Sequence, residues 1–255
     1  MKFKELGKPE NPVVILLHGE GLSWWSTESA ARLLMTKYRV IMPILDGHGE
    51  DAETEFDSIE NSAEKLIHFV DRSCGGRIFA LCGFSLGAQI AAQVLAERSD
   101  IAEYAVLESA LVQPGHSRAR EIPKTLIRVF LHFMRLHWFS DLQAKMKSVP
   151  RELLEQYYRD VQKISMPSLI HILNSRRNFH IPVTLKDTRA KVLVLVGSRE
   201  TIEMKFSCGL LKKAIPNSRM VVARGMRHGE LSISHSQEYV RLLEEWFSKK
   251  TSSDS

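Results

Sequence analysis

A serine lies in the pentapeptide G-F-S-L-G at residues 83–87, a pattern typical of a nucleophile. Ser85 follows a predicted strand at 77–82 and precedes a run of strong helix formers at 88–97. A sharp turn between a strand and a helix lifts the serine hydroxyl above the edge of a sheet, and the glycines make room for the bend. The helix would point its N-terminal dipole and the Leu86 N–H at an oxygen that gains negative charge. The pattern predicts a nucleophilic serine; a glycine-rich turn with an idle serine is the alternative.

A nucleophilic serine needs a base, and the base needs an acid that orients it. His228 follows a predicted strand at 219–222 and a glycine-containing loop, and it precedes the last predicted helix. Glu200 comes three residues after the glycine that ends the preceding predicted strand. A carboxylate there would hold the imidazole in its catalytic tautomer and stabilise the imidazolium. We therefore expect a triad of Ser85, His228 and Glu200.

Other residues remain open as alternatives for these roles. Glu108, after another predicted strand, and Glu203 are the alternative acids. His235 competes with His228 as the base, but it falls at the start of the last predicted helix, where a surface position is expected.

A second oxyanion donor should come from a loop after an early strand. The sequence H-G-E-G at 18–21 follows the apolar run 13–17, so the Glu20 N–H is the candidate, beside that of Leu86. A simple turn that ends the strand is the alternative interpretation. Aromatic and long apolar side chains are the candidates for the substrate pocket, namely Trp24, Trp25, Phe130, Phe133 and Met134.

Short apolar runs alternate with segments of helical periodicity in residues 1–110, and the alternation resumes after residue 180. Repeated βα units of this length predict the α/β class, with an open, mostly parallel, doubly wound sheet. The predicted strands lie at 13–17, 39–42, 77–82, 104–107, 191–196 and 219–222.

Residues 111–180 have helical patterns without strands and hold 12 Lys and Arg against 5 Asp and Glu. The chain as a whole has a net charge of +5, so the positive excess falls on this segment. We interpret it as a helical cap (111–180) inserted into a core formed by 1–110 and 181–255. Its positive field would favour an anionic substrate, and its apolar helix would suit an acyl chain. A cap that only packs over the site is the plainer alternative.

Composition excludes several classes of protein. A chain of 255 residues with 44% hydrophobic and 25% charged residues is neither disordered nor fibrous. Three cysteines cannot all pair and no secretory signal opens the sequence, so we expect a cytoplasmic protein. The longest apolar stretch is too short and too charged to span a bilayer, so no membrane insertion is expected.

Metal and nucleic-acid sites are not predicted either. The histidine pairs His132/His137 and His171/His180 lack the helical spacing that places two ligands on one face. The basic residues are spread through an apolar segment without a known binding module. The sequence leaves the oligomeric state open.

The glycine–serine turn, and the order serine, glutamate, histidine along the chain, resemble the α/β-hydrolase superfamily. The sequence P-I-L-D-G-H-G at 43–49 resembles the family's P-D-x-x-G-H-G loop, in which His48 would shape the pocket rim without being catalytic. The resemblance covers 1–110 and 181–249, starts about one strand late, and is to carboxylesterases and monoacylglycerol-lipase-like enzymes.

This resemblance implies an α/β-hydrolase fold with a cap after the family's sixth strand. It also implies cofactor-free cleavage of a small-molecule ester or thioester by a Ser-His-Glu triad, where Asp is the commoner acid. Ser85 argues against the dehalogenases and epoxide hydrolases of the superfamily, which have aspartate at the turn. A carbon–carbon bond hydrolase or lyase, or a ligand-binding homologue without activity, remain alternatives.

Overall fold

A computed structural model describes residues 1–113 and 122–248, and within them seven strands form one sheet. The strand order is β1-β3-β2-β4-β5-β6-β7; β1 is antiparallel to β3, and all other neighbours are parallel. The strands are β1 (Lys2–Leu6), β2 (Val13–Leu17), β3 (Arg39–Ile44), β4 (Ile78–Phe84), β5 (Ala102–Glu108), β6 (Lys191–Gly197) and β7 (Ser218–Ala223).

The α-helices in the described part of the chain cover both faces of this sheet. Side chains of α2, α3 and α8 pack on one face, and those of α1 and α9 pack on the other. The doubly wound α/β-hydrolase fold is thereby confirmed. The helices are α1 (Trp25–Leu34), α2 (Ile59–Ser73), α3 (Leu86–Glu97), α4 (Lys124–Met134), α5 (His137–Met146), α6 (Leu154–Lys163), α7 (Met166–Arg177), α8 (Ile202–Ala214) and α9 (Ser236–Phe247).

The edge of the sheet differs from the sequence prediction. The sequence predicts no strand before residue 13, yet β1 forms there. It also predicts that the strand that begins at residue 39 stops at Pro43, yet β3 continues to Ile44, and its Pro43 lies opposite Phe3 of β1. Three of the five residues of β1 are charged, which suits an exposed edge strand but hides its apolar signal. Pro43 is tolerated because β2 pairs with β3 only as far as Ile41, so the proline has no parallel neighbour to bond.

Four helices, α4 to α7, lie between β5 and β6, and we call the described residues 122–180 the cap. Their apolar faces pack together and onto Leu22 and Trp25 of the core. The predicted boundaries of core and cap stay predictions, and residues 114–121 and 249–255 of those units lie outside the described residues. Among the helices described, none is long and apolar enough to cross a membrane.

Candidate active site

Ser85 occupies a strained turn between β4 and α3. Its φ of 53° and ψ of −114° are rare for a residue with a side chain, and such strain is concentrated at functional sites. A Cβ on Gly83 would lie 2.2 Å from the Gly87 carbonyl oxygen, and one on Gly87 would lie 2.6 Å from the His18 carbonyl oxygen. Both glycines are therefore required by close backbone packing. Leu86 is the first residue of α3, so its N–H belongs to the unpaired helix terminus.

Glu200 and His228 follow the neighbouring strands β6 and β7 and meet at the carboxyl edge of the sheet. The Nδ1–H of His228 donates to Glu200 Oε2 at 2.7 Å. Glu200 Oε1 also accepts from the Gly197 N–H at 2.8 Å and from the Ser109 hydroxyl at 2.7 Å. Burial opposes ionisation of Glu200, but His228 and the two other donors hold the pKa of this carboxyl below its ordinary value. The structure brings together the predicted acid and base.

Ser85, Glu200 and His228 line one cavity of about 560 Å³. The imidazole of His228 lies against the ring of Phe84, the residue before the nucleophile, with 4.7 Å between ring centroids. A Cβ on Gly19 would lie 2.9 Å from the Phe84 ring and 3.4 Å from Ser85 Cβ, so the loop that carries Glu20 borders the same turn. The other residues of the lining combine charged or polar end groups with apolar side-chain stems, and they are Glu20, Gln143, Lys145, Met146, Lys147, Arg176, Arg199, Thr201, Met204 and Arg227.

The side chain of Glu20 contacts the cap. Arg176 Nη1 lies 2.7 Å from Glu20 Oε2, and Lys147 Nζ donates to the Glu20 carbonyl oxygen at 2.6 Å. Burial raises the pKa of the Glu20 carboxyl, but the charges of Arg176 and Lys147 outweigh it and hold the pKa below its ordinary value. Glu20 is therefore an ionised group whose charge is compensated.

Two histidines near this loop have structural hydrogen bonds. The Nδ1–H of His18 donates to the Gly19 carbonyl at 2.9 Å, and its Nε2 accepts from the Leu45 N–H at 3.1 Å. Burial lowers the pKa of His18 to about 3, so it is neutral. His48 Nδ1–H donates to the Asp46 carbonyl at 2.9 Å. His18 joins two loops and His48 stabilises its own loop, functions that no periodicity in the sequence indicates.

The alternative catalytic residues lie in other surroundings. Glu108, at the end of β5, is buried, and burial raises its pKa to about 8. Glu203 is exposed in the first turn of α8. His235 precedes α9, is about half exposed, and lies 4.0 Å from Glu230. In residues 1–113 and 122–248, no group of three His, Cys, Asp or Glu is arranged to hold a metal ion.

None of the five predicted pocket residues is among those that line this cavity, and their role in substrate binding stays a prediction. The Nε1–H of Trp25 donates to Asp160 at 2.8 Å inside the apolar packing of the cap, and that of Trp24 donates to Glu50 at 3.2 Å. Met134 is buried in the same packing, and Phe130 and Phe133 contact aromatic rings of α5. The apolar face of α4 packs on its neighbouring helices, which leaves the polar end of α5 to line the cavity.

Comparisons with known proteins agree with the fold and show the family. The sequence matches the alpha/beta hydrolase family over residues 14–242. Pimeloyl-[acyl-carrier protein] methyl ester esterase of Aeromonas hydrophila is 24% identical over 251 residues, which cover 92% of this chain and 95% of that one. An esterase from Thermogutta terrifontis superposes with a TM-score of 0.74 and 18% identity, covering 96% of this chain and 92% of that one. The enol-lactonase of Burkholderia xenovorans superposes with a TM-score of 0.76 and 15% identity, covering 97% and 96%. The chain belongs to the alpha/beta hydrolase family.

Proposed function

We propose that this chain is a serine hydrolase that cleaves a carboxylic ester or thioester, with Ser85, His228 and Glu200 as its triad. The observation that carries the proposal is the 2.7 Å contact between His228 and Glu200 in the cavity that Ser85 also lines. The esterase relatives and the strained turn at Ser85 support it.

The proposed reaction proceeds by acyl transfer. His228 Nε2 takes the Ser85 proton while Ser85 Oγ attacks the carbonyl carbon, and the N–H groups of Glu20 and Leu86 hold the resulting oxyanion. Collapse of the intermediate breaks the ester bond, and the alcohol or thiol leaves with the proton from His228. Water, activated by His228, then releases the acid from Ser85. These residues supply the nucleophile, the proton transfers and the charge stabilisation, so the proposed reaction needs no cofactor.

Labelling with a fluorophosphonate probe tests the proposal. We expect covalent labelling of the folded wild type and no labelling of Ser85→Ala. We also expect the unlabelled wild type to hydrolyse p-nitrophenyl esters, and this activity to be lost once Ser85 is labelled and to be absent in Ser85→Ala. A folded wild type that stays unlabelled would overturn the proposal in favour of a ligand-binding homologue. Labelling without ester hydrolysis would point to carbon–carbon bond cleavage, the alternative that the sequence leaves open.

The charges of the cavity favour an ester that also carries an anionic group. Its two carboxylates, Glu20 and Glu200, are already paired. Arg199 and Arg227 line the same wall, and in the described part of the chain neither has an ion-pair partner. Two guanidinium groups on the lining of the cavity, without ion-pair partners among the described residues, would attract a carboxylate, a phosphate or an acidic acyl carrier.

A matched pair of esters measures this preference. Monomethyl adipate and methyl hexanoate share the ester and the chain and differ in the terminal carboxylate. We expect a higher kcat/KM for the adipate, an advantage that falls with added salt and is lost in Arg199→Gln combined with Arg227→Gln. Equal values for the two esters, or a preference that these substitutions leave unchanged, would contradict the anionic substrate.

We also propose that the protein works in the cytoplasm. Cys74, Cys82 and Cys208 are all free thiols, two of them buried, which suits a reducing compartment.

A further inference from the structure

The turn that ends α5 contacts two loops of the proposed catalytic site through adjacent residues. Lys147 Nζ donates to the carbonyl oxygen of Glu20 at 2.6 Å. The Ser148 hydroxyl donates to the carbonyl oxygen of His228 at 3.1 Å, and the Ser148 carbonyl accepts from the Ser234 hydroxyl at 2.6 Å. One turn of the cap thus contacts both the oxyanion loop and the loop of the base.

Two contacts, one at the Gly19 carbonyl and one at the Glu20 carbonyl, fix the peptide planes on either side of the proposed oxyanion donor. The proposed donor, the Glu20 N–H, shares a peptide plane with the Gly19 carbonyl. That carbonyl accepts a hydrogen bond from the Nδ1–H of His18 at 2.9 Å. In a trans peptide the N–H points opposite the C=O, so His18 sets the direction of the Glu20 N–H. Lys147 donates a hydrogen bond to the next carbonyl, that of Glu20, so the peptide planes on both sides of Glu20 are fixed.

The same lysine offsets a charge that would otherwise oppose catalysis. An ionised carboxylate near a developing oxyanion raises the energy of the transition state. Lys147 and Arg176, from two different parts of the cap, bring two positive charges to Glu20. Gly21 leaves space for the ammonium group, since a Cβ there would lie 2.9 Å from Lys147 Nζ.

The backbone at Ser148 has the left-handed conformation, with a φ of 55°. A residue with a side chain adopts it rarely, and contacts must hold it there. At Ser148 these contacts are its bonds to His228 and Ser234, together with its N–H bond to the Lys145 carbonyl at 3.2 Å. The turn therefore has a specified shape, which places Lys147 and Ser148 on two catalytic loops at once.

We propose that Lys147 and Ser148 are positioning residues for the ester hydrolysis proposed above, on which this inference rests. Lys147 holds the oxyanion donor through Glu20, and Ser148 holds the base through the backbone of His228. The cap is then part of the catalytic machinery as well as a cover, because it sets the distance between the two loops.

Lys147→Met tests the proposal, since it keeps the length of the side chain and removes the donor. We expect kcat to fall by about 10-fold to 100-fold for a neutral p-nitrophenyl ester, with KM changed less than about threefold, because an oxyanion hole acts mainly in the transition state. Affinity for a trifluoromethyl ketone, which forms a tetrahedral adduct, should fall by a similar factor. Ser148→Ala should lower kcat by a smaller factor, since its bond is longer.

Lys145→Met is the matched control, because Lys145 lines the same cavity but has no contact with Glu20. The difference between the two lysine variants measures the hydrogen bond apart from the loss of one charge. Equal kcat values for both variants, with Ser148→Ala like wild type, would overturn the inference. Circular dichroism gives the folded fraction, and Ser148→Ala keeps the test available if Lys147→Met does not fold. Labelling and ester turnover of the wild type test the proposed function, whereas the variants test this inference. A wild type that is labelled and active, with variants that behave alike, would therefore contradict the inference and leave the proposed function standing.

Discussion

Two buried glutamates at the carboxyl ends of neighbouring strands are held in opposite charge states. Glu200, after β6, accepts three hydrogen bonds, from His228, Gly197 and Ser109, and its pKa lies below the ordinary value. Glu108, at the end of β5, has one carboxylate oxygen without a hydrogen-bond partner among the described residues, and burial raises its pKa to about 8. Depth of burial alone does not decide the charge of a carboxyl group; the donors around it do.

The difference assigns a task to each residue. An ionised Glu200 orients His228 and stabilises its protonated form. The negative charge of Glu200 further raises the pKa of Glu108. Because Glu108 stays neutral, Glu200 is the one of these two glutamates that carries a negative charge near His228. The alternative acid suggested by the sequence is therefore the protonated member of the pair at neutral pH.

Glu200→Gln should have the largest effect of the variants that test this comparison. An amide cannot fix the catalytic tautomer or stabilise the imidazolium, so we expect kcat to fall by about 10³-fold to 10⁴-fold at neutral pH. Steady-state hydrolysis of a p-nitrophenyl ester measures it, with Glu203→Gln on the exposed surface of α8 as the control. Retention of activity in Glu200→Gln with loss in Glu108→Gln would reverse the two assignments.

Glu108→Gln should change stability more than activity. The amide resembles the neutral acid, so kcat at pH 7 should stay within about threefold of wild type. The pKa of Glu108 rises from 4.5 in its ordinary state to about 8 in the folded protein, so folding favours its protonated form. Its contribution to the free energy of unfolding is complete below about pH 4.5 and is lost as the pH rises through about 8.

Urea unfolding at pH 5 and pH 9 measures this loss. We expect the wild type to lose more stability than Glu108→Gln between these values. Parallel losses in the two proteins would mean that Glu108 is ionised in the folded state, and the comparison with Glu200 would fail.

Local patterns in the sequence predicted the features of this site that depend on the backbone of single segments. The turn at 83–87 and the positions of Glu200 and His228 after successive strands follow from apolar runs and glycines, which report backbone geometry. Side-chain contacts between distant segments leave no comparable pattern in the sequence. Lys147 and Glu20 are separated by 127 residues, and neither sequence neighbourhood indicates the other.

The pocket prediction differs from the lining of the cavity for a related reason. It selected apolar residues of the cap, such as Phe133 and Met134, because apolar side chains are typical of a pocket. The same preference makes them pack against one another, whereas the residues that line the cavity include charged ones such as Lys147 and Arg176.

Removal of one hydrogen-bond donor to Glu200, the Ser109 hydroxyl, should lower kcat far less than loss of the Glu200 carboxylate. Ser109 has a φ of 54°, so Ser109→Gly removes the hydroxyl without adding strain, whereas Ser109→Ala would keep the strained backbone. Two donors to Glu200 remain, so we expect kcat to fall by only about twofold to tenfold and the pKa of Glu200 to rise toward its ordinary value.

The pH dependence of stability separates this electrostatic effect from a packing defect. The lowered pKa of Glu200 contributes stability that is present above its ordinary pKa of 4.5 and is lost as the pH falls through the folded value. Ser109→Gly should therefore destabilise the protein more at pH 7 than at pH 3 in urea unfolding. An equal loss of stability at pH 7 and pH 3 would mean that the Ser109 hydroxyl contributes packing only. Gly197 and His228 would then be the donors that keep Glu200 ionised while Glu108 stays neutral.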